Sequence, residues 1–193
     1  MVLDEGGQQR DMVGLIYVSA QSLVQEIRTQ RDLLAAENGS LQVNLQVVDT
    51  LPLLQQLLEL YRYHPVAKDR VLCIAPGVES VSFESDPTLL VRVLGNMLKN
   101  ALEASAPGEC VMLNCECLSS HVAFTVHNSS FMPESVQLQI FQRSFSTKGP
   151  GRGLGTYSMR LLSERYLNGE VIFESSPENG TTFTAIYPLR PEA

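Results

Sequence analysis

The sequence holds no tryptophan and three histidines. It nowhere offers the ~20 successive apolar residues that a membrane-crossing helix requires. It opens Met1-Val2-Leu3-Asp4-Glu5, without the basic region and apolar stretch of a secretory leader. Positive charge is scarce: 14 Lys and Arg stand against 21 Asp and Glu, a formal net charge of -7 with a pI near 5.0. Such a balance argues against a nucleic-acid partner or an anionic membrane surface. A soluble, cytoplasmic chain is expected, with a membrane anchor elsewhere in a longer protein left open. The four cysteines, Cys73, Cys110, Cys115 and Cys117, lack zinc-ligand spacing with any histidine. They are expected to act as small buried hydrophobes in a reducing compartment.

With these classes set aside, 193 residues at 44% hydrophobic content suffice for one packed domain plus an extra element. Met12, Ile16, Ala20, Leu23, Ile27 and Leu34 fall on one helical stripe that ends at Asn38-Gly39. This apolar seam needs a cover, either a partner helix in a homodimer or the sheet behind it. The expected division is 1–39 for this helix and 40–193 for a globular domain.

Within that domain Val43, Leu45 and Val47 alternate as in a strand, and Asp49-Thr50 opens a helix that His64-Pro65 stops. Strands are expected at Val71 to Ile74 and Val81 to Phe83. Asp86-Pro87 starts a long helix that buries Leu90, Val93, Leu94, Met97, Leu98, Ala101 and Leu102. A hairpin follows, with Val111, Leu113, Cys115 and Cys117 on one face and Val122, Phe124 and Val126 on one face of its partner. A short helix near Ser135 to Gln142, a Ser/Thr/Gly-rich stretch from Ser144 to Arg152 and a helix from about Gly153 to Leu167 come next. The final strands span Glu170 to Glu174 and Thr181 to Tyr187. The mixed order argues an α+β fold, a two-layer sandwich with helices on one face of a mostly antiparallel sheet.

Four groups of residues bear on chemistry. Asn96 and Asn100 lie four apart and share a helix face. Two amides on an apolar helix either bridge neighbouring backbone or turn their oxygens to a metal–phosphate group. Lys148-Gly149-Pro150-Gly151-Arg152-Gly153-Leu154-Gly155 precedes a helix, an arrangement that suits an anion or, equally, a hinge. It has neither the Walker lysine nor a preceding strand. Asn128 ends an apolar strand on its buried side, a place for a flat base or for an ordinary turn. Asn179-Gly180-Thr181-Thr182-Phe183 is a hairpin turn.

The order and spacing of these four groups resemble the ATP-binding domain shared by sensor histidine kinases, type II topoisomerases, MutL and heat-shock chaperone ATPases. This is the GHKL, or Bergerat, fold. Leu94 to Ala104 resemble its N box, Ile140 to Lys148 its F box, Gly151 to Gly155 its G2 box and Gly180 to Phe183 its G3 motif. The histidine-kinase branch fits best, because the hydrolytic branches carry a glutamate where this chain has Asn96. The resemblance implies that Asn100 ligates Mg²⁺, with Asn96 supporting it or the phosphates of ATP. Lys99 and Lys148 would contact phosphates. Asn128 would meet the adenine amino group, Thr182 would touch adenine, and Met132 and Phe145 would flank the nucleotide. The backbone of Gly151, Gly153, Leu154 and Gly155 would cradle the phosphates behind a mobile lid.

The sequence departs from the pattern in two places. The usual G1 aspartate and its glycines are missing, with Asn128 in the aspartate's place, so a charge-assisted bond to adenine is lost. No histidine lies on a dimerisation helix, and the N-terminal helix resembles the second helix of a dimerisation hairpin. The resemblance therefore implies a kinase part that phosphorylates a histidine on another domain and, through it, serves a response regulator. Two alternatives remain: a degenerate pocket used as a binding module, and a serine kinase of the anti-sigma type.

Overall fold

The computed structural model describes Ile27, Gln30, Arg31, residues 33–143, Phe145 and residues 153–191. The chain forms two compact units, Met1–Gln42 and Val43–Ala193.

In the first unit residues 33–37 are helical. Backbone bonds from Asn38 N to Leu34 O and from Ser40 N to Ala35 O close the helix where the Asn-Gly pair predicts. Two residues of the expected seam fall within the described part. Leu33 and Ala36 are buried, whereas Ile27 and Leu34 are 65% and 53% exposed. Leu33 and Ala36 are three apart and share a face that is turned by one residue from the Ile27–Leu34 line. Met12, Ile16, Ala20 and Leu23 lie outside the described residues.

The second unit runs β1 (Gln46–Asp49), α1 (Thr50–Arg62), a 3₁₀ turn (Pro65–Ala67), β2 (Val71–Ile74), β3 (Ser82–Ser85) and α2 (Pro87–Ala104). Then follow β4 (Cys110–Leu118), β5 (His121–Asn128), α3 (Glu134–Gln137), α4 (Leu154–Tyr166), β6 (Glu170–Ser176) and β7 (Gly180–Pro188). A five-stranded sheet has the order β2-β4-β5-β7-β6, and β1 pairs with β3 in a separate two-stranded sheet. Only β2 and β4 run parallel, because the connection between them carries β3 and the whole of α2. None of the described helices is long and apolar enough to cross a membrane.

Alternation along the strands decides the layers. Val111 and Leu113 of β4, Val122, Phe124 and Val126 of β5, and Phe183, Ala185 and Tyr187 of β7 are all buried. They meet Leu90, Val93, Leu94, Met97, Leu98, Ala101 and Leu102 of α2, none more than 3% exposed. Each of the Val, Leu, Met and Phe side chains among them contributes about 1.5–3 kcal/mol on burial. Asp86 caps α2 as expected, its Oδ1 accepting from Thr88 N at 2.9 Å and Leu89 N at 3.0 Å.

Three local expectations are corrected. β1 begins at Gln46, after the expected Val43 and Leu45; within it Val48 is buried beside Phe83, while Val43, Leu45 and Val47 are all exposed. Only the inner face of this two-stranded sheet is covered. Asp49 occupies the N-cap of α1 without capping it, because its carboxylate accepts from the Ser82 hydroxyl. Of the cysteines only Cys115 is buried. Cys117 shares the face of Cys115 but is exposed, near the end of β4.

Candidate functional site

The site begins on α2. Asn96 donates from Nδ2 to Ser158 Oγ on α4 at 3.1 Å, and the Ser158 hydroxyl donates to Gly155 O at 2.9 Å. This chain of bonds holds the first turn of α4, where the glycine run ends, against the polar face of α2. A Cβ placed on Gly155 would come within 3.7 Å of Asn96 Oδ1, so the two elements touch. Asn100, one turn further along α2, is half-buried. Its amide has no hydrogen-bond partner among the described residues. A hard amide oxygen that none of the described donors claims suits a hard cation with phosphate and water completing its shell. Lys99 is exposed on the same helix.

On the other side of α2, the Tyr61 hydroxyl donates to Gly95 O at 2.9 Å. Burial, and then the negative charge of Glu103, push its phenol up to about 12. Gly95 leaves the room this contact needs, since a Cβ there would lie 3.2 Å from Tyr61 Oη.

The second part of the site lies at the end of β5. Asn128 is 2% exposed and donates from Nδ2 to Ser130 O at 3.3 Å. Its Oδ1 has no hydrogen-bond partner among the described residues. A free acceptor at the end of a buried strand is what an exocyclic amino group requires. Thr181 Oγ1 donates to Ser130 O at 2.7 Å and lies 2.8 Å from Ser175 Oγ. Ser175 Oγ in turn accepts from Met132 N at 2.8 Å, and Gln137 Nε2 donates to Met132 O at 2.7 Å. The segment after β5 is thus tied to β6 and β7. Gly180 fits because its backbone adopts φ +68, and a Cβ would strike Asn128 O at 2.2 Å.

This network moves one assignment. Thr182 pairs with His127, its Oγ1 3.0 Å from His127 Nδ1, on the sheet face away from Asn128. The threonine beside Asn128 is Thr181, opposite it in register. The signal was present in the alternation of Thr181 with Phe183, Ala185 and Tyr187 on the apolar face. Ser158, Ser130, Ser175 and Tyr61 carry no sequence signal, because each matters only through a contact across the fold.

Just before α4, Gly153 has φ +103, and a Cβ there would lie 2.1 Å from Phe145 O. Phe145 therefore packs its backbone on the residue before α4, and its N–H bonds to Gln142 O at 3.2 Å. Lys148 and Gly151 lie outside the described residues. Leu154 is half-buried at the start of α4. Each histidine has its Nδ1 engaged locally: His64 by Val66 N, His121 by Ser120 Oγ and His127 by Thr182 Oγ1. None lies on an α-helix. Among the described residues no group of three His, Cys, Asp or Glu side chains could hold a metal.

Residues 85–191 match the family described as histidine kinase-, DNA gyrase B-, and HSP90-like ATPase. The chain is 28% identical over 192 residues to the sensor protein EvgS of Escherichia coli K12, covering 94% of this chain and 16% of that protein. It is 36% identical over 113 residues to the signal transduction histidine-protein kinase AtoS of the same strain, covering 56% of this chain and 18% of AtoS. Among solved structures, the catalytic domain of histidine kinase ThkA superposes with a TM-score of 0.69 at 27% identity. That match covers 77% of this chain and 97% of the ThkA domain. The chain therefore spans about a sixth of the length of EvgS and AtoS and nearly all of a kinase catalytic domain.

Proposed function

Because the chain belongs to the histidine kinase-, DNA gyrase B- and HSP90-like ATPase family, we propose that it is the ATP-binding catalytic part of a two-component sensor histidine kinase. It transfers the γ-phosphate of ATP to a histidine that this stretch of chain does not hold. The observation that carries the reading is the Asn96–Ser158 bond. It brings the asparagine pair of α2 against the helix that follows the glycines, with the Asn100 amide unbonded among the described residues.

Each residue then has a task. Asn128 Oδ1 accepts from the adenine amino group, and Thr181 and Ser130 hold that end of the strand in place. Met132 and Phe145 flank the nucleotide. The N-terminal turn of α4, with Gly153, Leu154 and Gly155, presents backbone N–H groups to phosphate, and its dipole favours negative charge. Lys99 and Lys148 add positive charge. Asn100, supported by Asn96, would hold Mg²⁺, which when bound neutralises charge on the transferred phosphoryl group. Positioning and electrostatics supply the catalysis, and no residue of the chain takes the phosphate.

The acceptor is a phosphoacceptor histidine domain, with a response regulator downstream. Residues 1–39 belong with the helices of that domain and serve as a homodimer contact. The protein works in the cytoplasm, with or without a membrane anchor. A second reading draws on the absent G1 glycines and the absent acceptor histidine: a degenerate nucleotide pocket that serves as a regulatory or scaffolding surface without transferring phosphate.

Calorimetric titration with ADP and a non-hydrolysable ATP analogue, with and without Mg²⁺, tests the proposal on the chain and its Asn100→Ala variant. Mg²⁺-dependent binding that Asn100→Ala abolishes supports a working site. Phosphate transfer to an added acceptor-histidine domain then separates kinase from sensor. Absence of binding at millimolar nucleotide would sink the kinase reading and leave a degenerate pocket used as a binding module.

A further inference from the structure

A second chemical site lies on the sheet face away from the helices. Val111 and Leu113 of β4 point into the core, so Cys110 and Met112 point outward. In the parallel register Val71 pairs with Cys110 and Cys73 with Met112. Cys73 and Cys110 are therefore diagonal neighbours on one face, and their sulfurs stand 2.7 Å apart. Both are free thiols, Cys73 half-buried and Cys110 exposed. Cys115 is buried and Cys117 exposed, and neither has a thiol neighbour among the described residues.

We propose that Cys73 and Cys110 form a redox modification site, which a peroxide converts to an intramolecular disulfide. Cys110, open to solvent, is the sulfur that meets the oxidant. Its thiolate attacks one peroxide oxygen; an S–O bond forms, the O–O bond breaks, and hydroxide leaves and takes up a proton. Cys73 then attacks the Cys110 sulfur. The S–S bond forms, the S–O bond breaks, and water leaves with the Cys73 proton. Two thiols and one hydrogen peroxide give one disulfide and two waters. Burial, then the bond with Cys110, raise the Cys73 thiol to about 11, which leaves Cys110 the first to react.

The consequence follows from topology. β2 is a four-residue edge strand bonded only to β4, and edge strands with one partner open most easily. The cross-link fixes β2 to β4 and closes a loop of 37 residue steps that contains all of α2, Asn96 and Asn100 included. Closing a long loop restricts the unfolded chain and stabilises the fold.

The test treats the full chain with hydrogen peroxide, blocks remaining thiols by alkylation, and maps linkages by non-reducing peptide mass spectrometry with a thermal melt alongside. The expected result is a dominant Cys73–Cys110 link and a melting midpoint raised by roughly 5 °C or more. Dithiothreitol should reverse both, and C73S and C110S should show neither. A C117S variant, in which exposed Cys117 cannot form dimers, should behave as the parent. Cys73 left free to alkylate while Cys110 proceeds to sulfinic acid would overturn the proposal. So would a Cys73–Cys110 link that forms without raising the midpoint.

Discussion

The Tyr61 hydroxyl donates to the Gly95 carbonyl at 2.9 Å, so α1 is bonded to the backbone of α2 one residue before Asn96. This bond sets how α2 presents its asparagines, and it can be removed without changing the shape of either helix. Tyr61→Phe should destabilise the domain by ~1 kcal/mol, a fall in melting midpoint of about 2–4 °C, and should weaken nucleotide binding. Gly95→Ala crowds the same hydroxyl, and its cost should shrink in the Tyr61→Phe background. A double-mutant cycle reads that coupling; strict additivity would refute the contact.

Alkaline pH should unfold the protein through its buried phenols. Tyr61 stands at about 12 in the fold against an ordinary 10.0, and burial raises the fully buried Tyr187 as well. Between pH 10 and 12 the folded state holds protons that the unfolded state has released, so stability falls as pH rises. Their contribution is fully present below pH 10 and is lost through the folded-state values. Melting midpoints across that window, compared with those of Tyr61→Phe, test this; the variant should show a shallower decline.

The two threonines of the last hairpin should separate cleanly. Thr181→Val removes the hydroxyl that joins Ser130 O to Ser175 Oγ and should cost about 1–3 kcal/mol along with nucleotide affinity. Thr182→Val removes only the contact with His127 and should change binding little. Equal effects on calorimetric affinity would place adenine elsewhere.

Asn128→Asp should tighten adenine-nucleotide binding. A carboxylate replaces the amide oxygen, and a charge-assisted bond is about twice as strong as a neutral one. The gain should appear with ATP and not with GTP, whose corresponding position is a carbonyl that repels the new charge. Competitive titration of the two nucleotides reads the difference.

Two glycines should fail differently. A Cβ on Gly180 meets Asn128 O at 2.2 Å within the sheet, so Gly180→Ala should cost more than ~3 kcal/mol. A Cβ on Gly153 meets Phe145 O at 2.1 Å, but that neighbour sits in a connection between elements. Gly153→Ala should lower nucleotide affinity at a smaller loss of melting temperature. Parallel melts and titrations of the two variants decide it.

Much of this was legible in the chain because local rules and global fold agree. The α2 stripe from Leu90 to Leu102 has one period and one cap, and the structure buries it as written. Asn128 was readable because an amide ended a clean alternation. Val43, Leu45 and Val47 misled because the strand begins only at Gln46, beyond the first two, and its covered face carries Val48 instead. Of the N-terminal stripe, Ile27 and Leu34 stay exposed in the single chain, as an apolar seam does before a partner covers it. The face of Thr182 was not legible: its register partner is His127 and not Asn128, and one step along a strand exchanges its faces.

The sequence by itself determined the elements, the buried stripe of α2, and the four motifs with their order, since each depends on residues within a few positions of one another. Only the tertiary structure decided that Asn96 meets Ser158, that Thr181 sits beside Asn128, that Tyr61 holds Gly95, and that Cys73 faces Cys110. Those pairs lie far apart in sequence. Their meeting depends on strand order, register and helix rotation, which packing of the whole core fixes and no local pattern encodes.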